Sequence, residues 1–216
     1  MNFVERITGM ITKPDETTKD IAKEPRIEEG LMVVGVYMIF SILAAYFSFS
    51  RVRYTGSIQG IEASTLAMYM MLGGVIGAII TVLIGWPIIT GVAHVLSMFF
   101  GADGKFYPNM LTLIGYTAIP LIIVTIISIA LTLMMPVTVY DFSQGMQAAK
   151  ATYGNPITIL STIVSLLGSI WTAYMMFYAV KNGEKLDAKG ALIVVGLLFI
   201  ANLLLTFGSV ILALLM

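Results

Sequence analysis

The sequence predicts an all-α polytopic bundle of five transmembrane helices, preceded by an amphipathic helical segment on the cytosolic side. Three observations carry this. Of 216 residues, 58% are apolar and only 11% charged, against about 25% charged in a soluble domain, and the mean hydropathy is +0.94. The charges are gathered into short segments that separate apolar runs long enough to cross a bilayer core of about 30 Å, which takes about 20 helical residues. Lys and Arg divide nine to three between the two sides that five crossings define.

Residues 1–30 form the first unit. Their acids and bases leave no apolar core for a cleavable leader, so the mature chain is expected to start at Met1. Phe3, Ile7, Met10 and Ile11 recur at three- and four-residue intervals and predict a short helix with one apolar stripe for the membrane surface. Thr12, Pro14, Asp15 and Glu16 start a second helix, with Pro in its first turn and acids at its positive end, and Pro25 ends it. The segment reads as an interfacial lead into the first span, with a partner-binding cytosolic arm as the alternative. Asp15, Asp20, Glu24, Glu28 and Glu29 alternate with Lys and Arg, a pattern of a solvated face rather than a metal site.

Residues 31–216 form the membrane domain. Span one covers about 31–50, between Glu28, Glu29 and Arg51, Arg53. The second apolar run, 66–100, is too long for one crossing: at about 1.5 Å per residue it would reach roughly 52 Å. Pro87 in its middle predicts a kink. Span three covers 110–135 with Pro120 inside it; span four covers 157–180 and span five 191–215. Pro136 to Pro156 reads as a surface loop with one helical turn at about Ser143–Ala151.

Nine basic residues fall on one side: Arg6, Lys13, Lys19, Lys23, Arg26, Lys105, Lys181, Lys185 and Lys189. Arg51, Arg53 and Lys150 fall on the other. The positive-inside rule therefore expects a cytosolic N-terminus and an external C-terminus.

Several chemistries are excluded. Lys+Arg and Asp+Glu both total 12, which leaves no basic surface for nucleic acid. Cys is absent, removing disulfides, thiolate metal sites, cysteine nucleophiles and Cys-linked lipids. His94 is the only His, so a two-His metalloprotease motif cannot form. Every Asp lies outside the spans, no Ser sits in a G-x-S-x-G setting, and no phosphate-binding glycine loop is present. The expectation is a non-enzyme with no catalytic, cofactor-binding or metal residue.

The polar groups inside the apolar runs are few. His94 is expected near the cytosolic end of span two, and Asn202 is expected to make one interhelical hydrogen bond, while Trp86 and Tyr116 are packing or interface residues. Gly73 and Gly77 form a GxxxG pair, and Ser161, Ser165, Ser169 and Ala173 repeat along one face of span four. Such faces let helix backbones approach closely, within the bundle or across a homodimer. His94, the turn from Gly101 to Phe106, and Tyr116 are expected to form one cytosolic cluster, with Gly101 and Gly104 supplying positive φ.

The stretch from His94 to Pro120 resembles the Yip (Ypt/Rab-interacting protein) membrane family. Prokaryotic members often show a His, then Leu, a short glycine-rich turn ending in Phe, and a Gly-Tyr-x-x-x-Pro element in the third span; the matching positions are His94, Leu96, Gly101, Gly104, Phe106, Gly115, Tyr116 and Pro120. Pro14 within a charged helix ahead of span one is similar to the family's N-terminal pattern. The resemblance implies five spans with the N-terminus inside, a compact prokaryotic member in the cell membrane, and a role among membrane partners; eukaryotic members contact small Rab-type GTPases in early secretory trafficking. The function expected is that of a non-enzymatic, membrane-organising or partner-binding scaffold. Its partners would be the bilayer, other membrane proteins or a second copy, and no small-molecule ligand is identified. A small-solute or ion transporter or channel is the alternative, since helices interrupted at Pro87 and Pro120 can expose backbone groups.

Overall fold

The fold, a computed structural model that describes residues 1–58, 60–141 and 155–215, begins with a helical hairpin, α1 (Phe3–Thr12) and α2 (Pro14–Lys23). Asn2 and Glu5 cap α1 reciprocally, each side chain accepting the other's backbone N–H at 2.9 and 2.8 Å. Pro14 opens α2, where its missing N–H costs nothing. Gly9 lies directly against the Thr17 side chain, so the two helices touch.

Five helical units are long and apolar enough to cross a membrane. The first is α3 (Ile27–Ser50), which starts earlier than hydropathy suggests because Glu28 and Glu29 suit the positive end of the helix. The 66–100 run is α4 (Ala63–Met98), helical through Pro87. The third unit opens with a wide turn at Phe106–Met110, where Tyr107 is extended, and continues as α5 (Leu111–Tyr116) and α6 (Ile119–Met134). The interruption at Thr117–Ala118 follows from Pro120, which has no N–H for the Tyr116 carbonyl. Instead Thr117 and Ala118 reach back three residues, to Ile114 O at 3.1 Å and Gly115 O at 3.2 Å. The last two units are α7 (Pro156–Gly183) and α8 (Ala188–Leu215), whose first turns bond the side chains of Asn155 and Asp187.

The end away from α1 carries short strands. β1 (Val52–Thr55) pairs in parallel with β4 (Thr138–Asp141), Val52 opposite Thr138; β2 (Ser57–Ile58) and β3 (Ile61–Glu62) form a small antiparallel ladder. The surface loop expected at 136–156 begins with β4, a strand the sequence reading did not include, because its pairing with a segment over eighty residues earlier leaves no local signal. The helical turn expected at 143–151 lies outside the described residues.

The buried core is concentrated at the end where the hairpin docks, around Met10, Ile21, Met110, Leu113, Tyr116, Met175 and Val180. Met10 is fully buried, with Phe3 and Ile7 packed beside it, while Val4 and Ile11 remain exposed. The stripe expected to lie on the membrane surface is thus inserted mainly into the protein. Helix backbones of α3 and α5 meet closely at Gly30 and Gly115, where a Cβ on Gly115 would come within 3.0 Å of Gly30 Cα. A Cβ on Gly168 of α7 would come within 2.5 Å of the Val124 side chain of α6. Among the described residues a Cβ on Gly73 or Gly77 would meet nothing within 4 Å; it is Gly74 that takes the ring of Phe49. Ile80, Leu83, Ile84 and Ile88 of α4 are exposed, the apolar outer surface that a helix bundle presents to lipid.

Candidate functional site

Two polar clusters and one cavity lie within this frame. The first cluster is built on His94, one turn from the end of α4. Its Nδ1 lies 2.6 Å from Glu184 Oε1, and its ring packs 5.9 Å from that of Phe106. The turn that follows closes α4 with a Schellman pattern: Gly101 has φ +79°, its N–H bonds Met98 O at 3.1 Å, and the Ala102 N–H bonds Ser97 O at 3.2 Å. Gly104 has no such φ. It is small because Gly183 O, Glu184 Cα and Glu184 Oε2 occupy the space a Cβ would need. The Asp103 N–H bonds Glu184 O at 3.1 Å, and Asn109 Nδ2 donates to Gly183 O at 3.2 Å, so the 101–109 and 183–187 connections interlock.

Glu184 is 0% exposed. Burial pushes its carboxyl above the ordinary range, an effect the His94 contact only partly offsets. Its Oε2 and the Oδ1 of Asn109 are buried without a hydrogen-bond partner among the described residues. Sequence reasoning found His94, Gly101, Gly104 and Phe106 and missed Glu184, which reads as one solvated charge in a Lys-rich connection. Its short distance from the end of span four was the one available hint.

Tyr116 does not join this cluster. Its hydroxyl donates to Glu29 Oε2 at 2.6 Å, the same oxygen that accepts from Arg6 Nη1 at 2.8 Å, and Arg6 Nε donates to Asp20 Oδ2 at 2.9 Å. Arg6 and Tyr116 are 0% exposed and Glu29 is 3%. Burial by itself would raise the Asp20 carboxyl, but the bonds from Arg6 and the terminal amine hold it below its usual range. Asp15 is held lower still, at about 2, by Lys19, by Asn182 at 3.1 Å and by Lys181 at 3.2 Å. Of the acids expected to form a solvated face, Glu29 therefore joins the hairpin to α3 and α5 through Arg6 and Tyr116, Asp20 ties α1 to α2 within the hairpin, and Asp15 ties it to α7. A buried arginine satisfied by two carboxylates is invisible in a sequence of alternating charges.

The cavity, about 540 Å³, lies between α3, α4, α5, α6, α7 and α8. Ser165, Ser169 and Ala173 line it, together with Tyr37, Trp86, Thr125, Ser128, Thr172, Asn202 and Thr206. The serine face of α7 therefore borders a space, while Gly168 makes the close helix contact. Trp86 Nε1 donates to Leu111 O at 3.1 Å, Thr125 to Leu121 O and Ser169 to Ser165 O. Asn202, expected to bond a neighbouring helix, has no hydrogen-bond partner among the described residues. Pro120 lies beside this cavity, at the interruption of the third span, and not in the His94 cluster. Among the described residues no group of three or more His, Asp or Glu is arranged to hold a metal ion.

These helices and their lipid-facing surface define a multi-pass integral membrane protein. The Yip1 domain model matches residues 8–210, and the chain belongs to that family. Over 138 residues it is 29% identical to an uncharacterized protein of Methanocaldococcus jannaschii, covering 62% of this chain and 91% of that one. No solved structure matches.

Proposed function

We propose that the protein is a non-enzymatic scaffold that presents a rigid platform, the α1–α2 hairpin, to another membrane protein or a second copy. The observation that carries this reading is the docking of the hairpin through Arg6, Glu29, Asp20 and Tyr116. A segment meant only to lie in the lipid interface needs an apolar stripe and flanking charges; burying an arginine and a glutamate costs desolvation that only close pairing offsets. Such an arrangement suits a segment whose orientation has to be fixed. On this reading His94 and the Gly101–Phe106 turn, interlocked with the 183–187 connection, add a second contact region to the platform.

The orientation that goes with this reading is N-terminus cytosolic and C-terminus external, supported by the nine-to-three division of Lys and Arg. The archaeal relative supports a prokaryotic cell membrane. On this proposal residues 1–30 and 31–216 work as one unit, and another membrane protein or a second copy is the partner.

Recovery of partners in mild detergent tests it. Releasing the hairpin with Arg6→Ala should abolish recovery of the proteins bound by wild type, and unchanged recovery would refute the platform role. The second reading, passage of a small uncharged solute, is favoured by the cavity alone. Saturable flux into liposomes that is lost in Asn202→Ala would establish it in place of the scaffold.

A further inference from the structure

We propose that the cavity among α3, α4, α6, α7 and α8 is a binding site for one uncharged polar lipid drawn from the surrounding bilayer. Its polar linkage would be hydrogen-bonded by Asn202, Tyr37 and Thr172, and its chain would occupy the apolar remainder. This goes beyond the scaffold reading and does not depend on it.

Position comes first. Asn202 lies at the midpoint of α8, Ser169 at that of α7 and Tyr37 near that of α3, so the cavity opens at the depth of the hydrocarbon. A side-chain amide at that depth without a partner is costly, because hydrocarbon supplies neither donor nor acceptor. Asn202 is exposed and unpartnered among the described residues. Thr172 Oγ1, on the facing helix, is buried and equally unpartnered, and the Tyr37 hydroxyl makes no hydrogen bond within the described chain. Among the other hydroxyls in the lining, those of Thr117, Thr125 and Ser169 already bond backbone carbonyls nearby in the chain, while those of Thr81, Ser128, Ser165 and Thr206 make no hydrogen bond among the described residues. The unused groups, with Asn202, Tyr37 and Thr172 at mid-depth among them, thus share one space, which is the arrangement of a ligand site: mostly apolar walls with a few placed polar groups.

The lining fixes the chemical class. It contains no ionisable carboxylate, amine or imidazole, so a charged headgroup would find no counter-charge and the occupant has to be neutral at its bound end. About 540 Å³ lies within the usual range of roughly 300–1,000 Å³ for small-molecule sites. The apolar walls, including Val82, Ile89, Leu121 and Leu198, match a hydrocarbon chain. An ester, amide or hydroxyl joined to such a chain satisfies both halves, and the bilayer supplies it at high local concentration.

The test uses the full chain in phosphatidylcholine nanodiscs with a diacylglycerol carrying a photoactivatable diazirine in one acyl chain, and cross-linked peptides are mapped by mass spectrometry. Labelling is expected to concentrate on cavity residues of α7 and α8 and to be displaced by unlabelled diacylglycerol. It should fall at least tenfold in Asn202→Leu and in Ser165→Leu, persist in Asn202→Gln, and be weak with a phosphatidylglycerol probe. Size-exclusion profiles identify variants that fold, and Asn202→Gln together with the competition experiment decides the matter if the leucine variants do not. Labelling spread over the outer faces of α4 and α8, or unaffected by competitor and by Asn202→Leu, overturns the site. So does a homodimer cross-linked through Asn202→Cys with the cavity unlabelled, which would make a second copy the occupant.

Discussion

Arg6→Ala should release the N-terminal hairpin, and the structure sets the size of the effect. Arg6 is 0% exposed and holds two carboxylates: Glu29, 3% exposed, at 2.8 Å, and Asp20 at 2.9 Å with its side chain 30% exposed. The Asp20 half is partly in water and contributes about 0–1 kcal/mol. The Glu29 half is different, because removing Arg6 leaves a buried carboxylate supported by Tyr116 and by Arg26 at 3.4 Å. Breaking one side of a buried pair costs about 3–5 kcal/mol, mainly through that uncompensated charge, and the Tyr116 and Arg26 contacts that remain place it at about 3–4 kcal/mol here. At about 1.4 kcal/mol per decade, hairpin opening becomes about 10²- to 10³-fold more frequent. The chain has no Cys, so Met10→Cys, at a position 0% exposed in the docked hairpin, makes a clean reporter whose labelling rate follows the open population. Arg6→Ala should raise that rate by about two to three decades, Asp20→Asn by no more than about tenfold. Adding Glu29→Gln to Arg6→Ala should recover part of the loss, since the stranded charge is gone. Labelling within threefold of wild type in Arg6→Ala, or no recovery in the double variant, would refute the buried-charge argument.

Acidification should undock the same hairpin: the Asp15 carboxyl is depressed to about 2 from an ordinary 3.8, so its contribution is fully present above about pH 4 and is lost as pH falls toward 2. Hydrogen exchange in residues 3–23, corrected for intrinsic rate, should stay flat from pH 7 to 5 and rise below 4. Glu184 has the opposite sign: its carboxyl is raised by burial, so stability is lost as pH rises through that raised value. Glu184→Gln should therefore melt higher relative to wild type at pH 8 than at pH 5, and a difference independent of pH would count against the buried pair. Gly104→Ala should cost about 1–3 kcal/mol of stability by forcing a Cβ onto the Gly183–Glu184 backbone, whereas Gly101→Ala meets open space and suffers only the strain of φ +79°, about 1–2 kcal/mol; melting in detergent compares them. Gly74→Leu should destabilise the bundle through Phe49, while Gly73→Leu should leave its melting unchanged.

What the sequence made legible follows the range of the interactions. The spans, the Gly101 turn and the break before Pro120 are local consequences of hydropathy, of one glycine's φ and of one missing N–H, and each can be read within a few residues. The β1–β4 pairing, the His94–Glu184 contact and the Arg6–Glu29–Tyr116 network join segments far apart in the chain. Their residues looked ordinary where they stood: Glu29 and Asp20 among alternating charges, Glu184 beside Lys185. Within this chain the GxxxG pair meets no other helix among the described residues, and its homodimer reading rests on a second copy. Spacing shows which residues share a helix face, but only the neighbouring helices decide whether that face is used, and α3 places Phe49 on Gly74 instead.

The two polar clusters lie on opposite sides of one short stretch, residues 104–116, with Gly104 pressed on Glu184 and Gly115 on Gly30. The third unit of the bundle thus touches the 183–187 connection at its first turn and the Glu29 network at the end of α5, before Pro120 interrupts it. Movement of α5 would have to break either the Gly30–Gly115 contact or the Tyr116 bond to Glu29, and with that bond one of the groups that hold the hairpin. The Gly-Tyr-x-x-x-Pro element therefore joins three structural functions: close helix contact at Gly115, hairpin docking through Tyr116, and the break at Pro120 beside the cavity. A ligand in that cavity and a partner on the hairpin would both bear on the same few residues, which gives the bundle a physical route for one to influence the other.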